Sequence, residues 1–212
     1  MSVQPSKIVC VGRNYADHAK ELGNAIPESP VLFLKPPSSL IGLTEGIVWD
    51  QGLGECHFEC ELCLRIDQTL SKVNDPQQAL AAIGAVTLGL DLTLRDVQNQ
   101  LKKQGQPWER SKAFDGSCVL AEWVDAKEIT DWQAVEFSFA VNGEEKQHGL
   151  TSHMLFDLAH ILMDISQTFT LQVGDVVMTG TPAGVAALQP KDQLKMTLVT
   201  QQATHQWVTF CQ

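Results

Sequence analysis

One stretch constrains this chain more than any other. From Cys56 to Asp67 the sequence alternates, Cys-His-Phe-Glu-Cys-Glu-Leu-Cys-Leu-Arg-Ile-Asp. Period-two patterning predicts a strand. Cys56, Phe58, Cys60, Leu62, Leu64 and Ile66 then share one apolar face, and His57, Glu59, Glu61, Cys63, Arg65 and Asp67 the other, polar apart from its one cysteine. Side chains two apart on a strand lie about 6–7 Å apart at the backbone, a gap that two glutamate arms can close onto one ion. The next apolar run, Gly84 to Leu90, ends in Asp91, which places a third acid at the mouth of the core. Glu59, Glu61 and Asp91 are therefore the expected metal ligands. An all-oxygen donor set suits Mg²⁺ or Mn²⁺, with Ca²⁺ possible, rather than zinc. The competing reading is plainer: alternating glutamates on a strand that turns one face to water.

A chain of 212 residues is long enough to bury a sizeable core and is read as a single domain, 1–212. Fifteen basic against twenty-five acidic residues give a net charge of −10, with no basic run, which argues against nucleic acid and anionic membranes as partners. The start lacks a charged segment followed by a long apolar one, and the longest largely apolar stretch, Ala79 to Leu90, is too short to span a bilayer. The expected location is cytoplasmic. In that compartment the six cysteines read as buried free thiols. Cys56, Cys60 and Cys63 have the spacing of an iron–sulfur cluster triplet, but strand parity turns Cys63 away from the other two.

Elsewhere the pattern predicts short strands at Lys7–Gly12, Val31–Lys35, Val135–Val141, Asp175–Met178, Lys195–Val199 and Gln206–Cys211, with a turn at Asn142-Gly143. Short helices are expected from Tyr15 to Leu22, stopped by Gly23, and from Asp75, ended by Gly84. Two more are expected from Leu94 to Gln104, opened by a Thr93–Asp96 capping box, and from Met154 to Ile165, capped by Ser152. Few, short helices among many strands give an α+β, mainly β fold built on a mixed sheet with peripheral helices.

Further residues could carry chemistry. His18 and Glu21 stand three apart on one helical face, where a carboxylate can orient an imidazole as a general base. An ordinary exposed helix pair has the same spacing. Lys112 lies among small and apolar neighbours, suited to neutralising a substrate carboxylate or enolate, or to snorkelling at the surface. The Met178–Val185 segment offers glycine N–H groups and threonine hydroxyls to an anion, or is a tight turn.

Taken in order, Gly12-Arg13-Asn14-Tyr15-Ala16-Asp17-His18, Phe33-Leu34-Lys35-Pro36-Pro37, His57-x-Glu59-x-Glu61-Leu62, Lys112-Ala113-Phe114-Asp115 and Gly180-Thr181-Pro182-x-Gly184-Val185 resemble the fumarylacetoacetate hydrolase family across nearly the whole chain. The short length and the Gly-Arg-Asn-Tyr opening look most like its compact acylpyruvate hydrolase and oxaloacetate decarboxylase branch. The resemblance implies a mixed β-sheet roll, a homodimer, and Mg²⁺ or Mn²⁺ on Glu59, Glu61 and Asp91. It implies His18 and Glu21 as a water-activating dyad on a mobile lid at about residues 13–30, and Lys112 as the substrate lysine. Arg13, Arg95, Gln98, Gly180 and Thr181 fall where the substrate is held. The expected activity is hydrolysis of a C–C bond in β-diketo acids of the acylpyruvate or fumarylpyruvate type, through an enolate stabilised by the ion. Alternatives on the same site are oxaloacetate decarboxylation, keto–enol tautomerisation and hydroxymuconate-type isomerisation. A non-catalytic ion-binding β domain is the rival from another class.

Overall fold

A computed structural model of the chain describes residues 4–212; the reading of the first three residues as part of a leaderless start lies outside them. The first half runs β1 (Ile8–Gly12), α1 (Ala16–Glu21), β2 (Val31–Lys35), β3 (Leu40–Gly42), β4 (Cys56–Phe58), β5 (Cys60–Ile66), α2 (Pro76–Ala81), β6 (Ile83–Asp91), β7 (Thr93–Leu94) and α3 (Arg95–Gln104). The second continues with α4 (Glu109–Lys112), β8 (Cys118–Leu120), β9 (Val124–Asp125), β10 (Glu136–Val141), β11 (Glu144–Leu150), α5 (Leu158–Thr168), β12 (Val176–Met178), β13 (Ala186–Ala187), β14 (Gln193–Val199) and β15 (Thr204–Phe210).

An eight-stranded mixed sheet in the order β2-β1-β12-β5-β6-β8-β3, with β9 beside β6, curls into a roll. The pairs β1–β12 and β3–β8 are parallel and the other neighbours antiparallel. A four-stranded sheet, β11-β10-β14-β15, and a three-stranded one, β13-β4-β7, complete the fold. The expected mixed, mainly β architecture is therefore present. The roll buries both faces of its central strands. Leu62, Leu64 and Ile66 of β5 join the main core, while Cys63 packs with Ile8, Cys10, Cys118 and Met178 in a second cluster. Strands buried on both sides read as near-continuous apolar runs, which is what β6 shows. Gly89 of β6 sits where a Cβ would come within 2.7 Å of both Cys63 Sγ and a Leu120 methyl, so only glycine fits.

Several local expectations are corrected. The alternating stretch is two strands in different sheets, separated at Glu59, although its even residues stay on the core side throughout. Gly84 lies inside β6 rather than ending α2, and any Cβ there would collide with the Asp67 side chain. Thr93 is a strand residue whose hydroxyl donates to the Asp91 carbonyl, and α3 starts at Arg95 without a side-chain cap. Ser152 sits in a 3₁₀ turn; α5 begins six residues later, capped by Asp157, which accepts from the His160 N–H at 2.8 Å. All six cysteines are free and buried, and burial pushes each thiol up, that of Cys56 to about 12, which leaves them inert as nucleophiles. No helix among the described residues is long and apolar enough to cross a membrane.

The first strand is tied in by Asp175, just ahead of β12. Its carboxylate accepts from the Ser6 N–H at 2.8 Å, the Ser6 hydroxyl at 2.7 Å, the Lys7 N–H at 3.1 Å, Lys7 Nζ at 2.5 Å and the Gln172 N–H at 2.8 Å. Burial works to raise its pKa, but the Gln172 N–H, Lys7 and Ser6 together hold it below the usual carboxylate value. A depressed pKa stabilises the fold above the unfolded value, about 4, and that contribution is lost as pH falls through the folded value. Asp175→Asn should cost about 1.5–3 kcal/mol at neutral pH and should lose less stability than the wild type on further acidification. Coincident urea denaturation curves for the two proteins at pH 7 would refute this role.

Candidate metal centre and active site

The break at Glu59 gives the site its geometry. Between β4 and β5 the Glu59 carbonyl accepts from the Asp91 N–H at 2.9 Å, so the ends of β5 and β6 bring these two acids side by side. Glu61 follows two residues later on the same side. One oxygen from each of Glu59, Glu61 and Asp91 lies within 4.8 Å of the others. Their exposures are 6 %, 2 % and 1 %, which eliminates the solvated-face reading.

Three cations enclose them. Arg95, at the start of α3, donates from Nη2 to Glu59 Oε1 at 2.5 Å and from Nη1 to Gln98 Oε1 at 2.7 Å. Lys112, the last residue of α4, donates from Nζ to Glu59 Oε2 at 2.7 Å and to Asp91 Oδ2 at 2.5 Å. Lys35, at the end of β2, is buried, with Nζ 2.8 Å from Asp91 Oδ1 and donating to the Lys112 carbonyl and to the Ser117 carbonyl and hydroxyl. Burial favours the neutral form of Glu59, but Lys112 and Arg95 more than reverse this and hold its pKa well below the usual range. Glu61 has no such cation on it: burial, then the charges of Asp91 and Glu59, push it well up. Lys112 is raised despite its burial, by Asp91 first and Glu59 second.

These residues fit a hard dication. The donors are all carboxylate oxygens, an ammonium already lies between two of them, and a cation would favour the charged form of Glu61, which burial and its acidic neighbours disfavour. Asp91 Oδ1 is close to Lys35 without hydrogen-bond alignment, which leaves it a buried oxygen with no directed donor.

The segment after β1 covers this cluster. Arg13 has a left-handed φ of +61°. Asn14 beneath it is buried and donates to the carbonyls of Phe156 and Thr179 at 3.1 and 2.9 Å, while accepting from the Phe156 N–H. Helix α1 then places His18, buried, with Nδ1 3.2 Å from Glu21 Oε2. Glu21 Oε1 accepts from the Gly184 N–H at 3.0 Å. His18, Glu59, Arg95, Gln98 and Lys112 line one cavity, so the residues expected from the sequence do converge. A larger cavity of about 670 Å³ lies at Leu40, Leu120, Trp123 and Val176, away from the acids and from this chemistry.

Gly180 and Thr181 have roles other than the expected free donors. The Gly180 N–H donates to Glu61 Oε2 at 2.8 Å, and Thr181 Oγ1 donates to the Cys60 carbonyl at 2.8 Å. Gly180 has φ +100°, and a Cβ on it would lie 2.7 Å from Asn14 Cβ. The loop thus braces Glu61 and the base of the covering segment. Sequence reasoning also missed Lys35, Asn14 and Gln147 as site residues. Gln147 of β11 bridges the Cys60 N–H, Thr181 Oγ1 and the Pro182 carbonyl at 2.8–2.9 Å. A strand ending in lysine immediately before two prolines was the available signal for Lys35; for Gln147 there was none. Lys35→Met should cost about 3–5 kcal/mol, because it removes one of the two cations beside the buried Asp91 and the donor to the buried Lys112 and Ser117 carbonyls. A melting temperature within error of the wild type would contradict the assignment.

With the geometry in place, the relatives are informative. Residues 7–207 match the model of the fumarylacetoacetate (FAA) hydrolase C-terminal family. The chain is 47% identical over 193 residues to the Escherichia coli oxaloacetate tautomerase YcgM, covering 91% of this chain and 88% of that one. It is 44% identical over 193 residues to the mitochondrial oxaloacetate tautomerase fahd-1 of Caenorhabditis elegans, covering 91% and 90%. Among solved structures, the fumarylpyruvate hydrolase of Pseudomonas aeruginosa in complex with Mn²⁺ and pyruvate superposes with a TM-score of 0.87 at 30% identity, over 97% of this chain and 88% of that one. With the ordered motifs, the roll and the buried acidic triad in agreement, the chain belongs to the fumarylacetoacetate hydrolase family and is an enzyme of it.

Proposed function

We propose that this enzyme interconverts the enol and keto forms of oxaloacetate, with Mg²⁺ or Mn²⁺ held by Glu59, Glu61 and Asp91. The observation that carries this reading is the 47% identity, along nearly the whole chain, to an oxaloacetate tautomerase. When bound, the ion would supply Lewis-acid polarisation of the 2-oxo group. The chain's own residues do the rest. In the enol-to-keto direction the C2–OH proton leaves, the C2–O bond becomes a carbonyl, and C3 takes up a proton. Lys112 offers its ammonium to the negative charge that develops at the substrate oxygen. His18 has Nδ1 committed to Glu21, so Nε2 is the nitrogen free to carry the proton. Arg13, Arg95 and Gln98 orient the acid, and the segment at residues 13–30 acts as a lid that excludes water.

Hydrolysis of acylpyruvates is the second reading, favoured by the same imidazole–carboxylate pair, which suits activation of water, and by the likeness to a fumarylpyruvate hydrolase. The loss of enol absorbance of oxaloacetate, followed with protein and Mg²⁺ against buffer and Mg²⁺, decides between them when run beside acetylpyruvate cleavage. Faster tautomerisation with negligible acetylpyruvate cleavage is expected. The opposite pattern would replace this reading with the hydrolase one. His18→Ala should slow the tautomerisation by about 10²-fold or more while leaving Mg²⁺ affinity in place. Glu59→Ala should lose both metal binding and turnover. A homodimer, carried by the family resemblance alone, belongs to the same reading and is tested by the mass in solution.

A further inference from the structure

Helix α3 directs one more cation at this cavity. Lys102 stands seven residues after Arg95 and four after Gln98, so the three share a helical face. Arg95 and Gln98 are buried and Lys102 is half-buried, at the outer end of that face. Lys102 lines the cavity that holds Glu59 and Lys112, and also the adjoining one of about 390 Å³ beside Glu21 and Arg95. Its Nζ lies 5.3 Å from the centre of the Trp108 ring, which confines the ammonium against an aromatic wall.

The electrostatics here are unbalanced. Arg13, Arg95, Lys102 and Lys112 all line the cavity, whereas Glu59, its one carboxylate, has both oxygens taken by Arg95 and Lys112. Among the described residues Lys102 has no hydrogen-bonded or ion-paired partner. The Nε atoms of Arg13 and Arg95 are buried without a hydrogen-bond partner. Burial, then the charges of Arg95 and Arg13, lower the pKa of Lys102 to about 8. A protein of net charge −10 thus gathers four of its fifteen basic residues around one small cavity. An anion placed there would relieve repulsion and satisfy donors together.

We propose that Lys102, assisted by Arg13 and Arg95 Nε, forms a second anion subsite at the outer end of the cavity. It takes the distal carboxylate of a four-carbon 2-oxo dicarboxylic acid, and so selects such acids over acylpyruvates with uncharged tails. The inference deepens the proposed function and rests on it for the identity of the substrate. The 2-oxo acid end lies toward Lys112 and the acidic triad, and the second carboxylate lies toward Lys102 and Trp108.

The test uses a pair of unreactive ligands that differ only in that carboxylate, L-malate and L-lactate. They are titrated calorimetrically into the Mg²⁺-loaded wild type, Lys102→Met and Lys102→Arg. The wild type should favour L-malate. Lys102→Met should lower the malate-to-lactate affinity ratio about 10- to 100-fold, the worth of one charge-assisted contact, and Lys102→Arg should keep most of it. Lys102→Gln gives the same comparison should the Met variant lose stability. An unchanged ratio in Lys102→Met, or equal loss of both affinities, overturns the subsite. If the wild type leaves oxaloacetate unchanged yet the ratio depends on Lys102, the proposed activity fails and the subsite stands. If oxaloacetate is turned over and the ratio ignores Lys102, the subsite alone fails.

Discussion

Three carboxylates buried within a few ångströms of one another repel, and the opposing charge of Lys35, Arg95 and Lys112 offsets this for Glu59 and Asp91. Each cation comes from a different element: the end of β2, the start of α3 and the last residue of α4. Neutralising the acids therefore also fixes where those elements sit on the roll. Pro36 and Pro37 end β2 just after Lys35, so the lysine emerges at the strand's end, where its ammonium meets the loop carbonyls of Lys112 and Ser117. Charge compensation and chain topology are one constraint here. Glu61 is the acid without its own cation, and its protonation state is accordingly the one most open to a bound ligand.

Much of this was legible because the signals were periodic. The even residues of Cys56–Ile66 fall in the core as the alternation requires, and β1, β2, β10, β12, β14 and β15 lie close to where their apolar runs placed them. The division at Glu59 was invisible because both halves keep the same parity, so a change of sheet leaves no mark on the pattern. Caps were the weakest inference. Thr93 and Ser152 had the right neighbours for helix starts, but tertiary pairing drew Thr93 into β7 against β4, and the helix after Ser152 found a better oxygen in Asp157. Strand β11 went unread because three of its seven residues face solvent, so Glu-Glu-Lys-Gln-His looks like loop.

The site residues divide in a similar way. The triad, His18, Glu21 and Lys112 carry types and spacings that suggest chemistry, and they do converge. Asn14 and Gln147 work through hydrogen bonds to main-chain groups far away in sequence, and a single sequence holds no record of such partners. Gly180 was singled out as a donor to the substrate. Its left-handed backbone does present an N–H, but the recipient is the protein's own Glu61.

Glu21 divides its carboxylate between two tasks, one oxygen on the imidazole of His18 and the other on the Gly184 N–H across the cavity mouth. Gly184 is held rigidly: its φ is +102°, and a Cβ on it would fall on the Lys146 carbonyl. The tautomer of the imidazole is thereby coupled to the position of α1 against a fixed wall. If α1 lifts away, the wall-side bond breaks, and Glu21 is free to rotate to solvent and release His18 from its orientation. Under the proposed function, displacing α1 would therefore do more than open the cavity: it would leave the imidazole without the carboxylate that orients it.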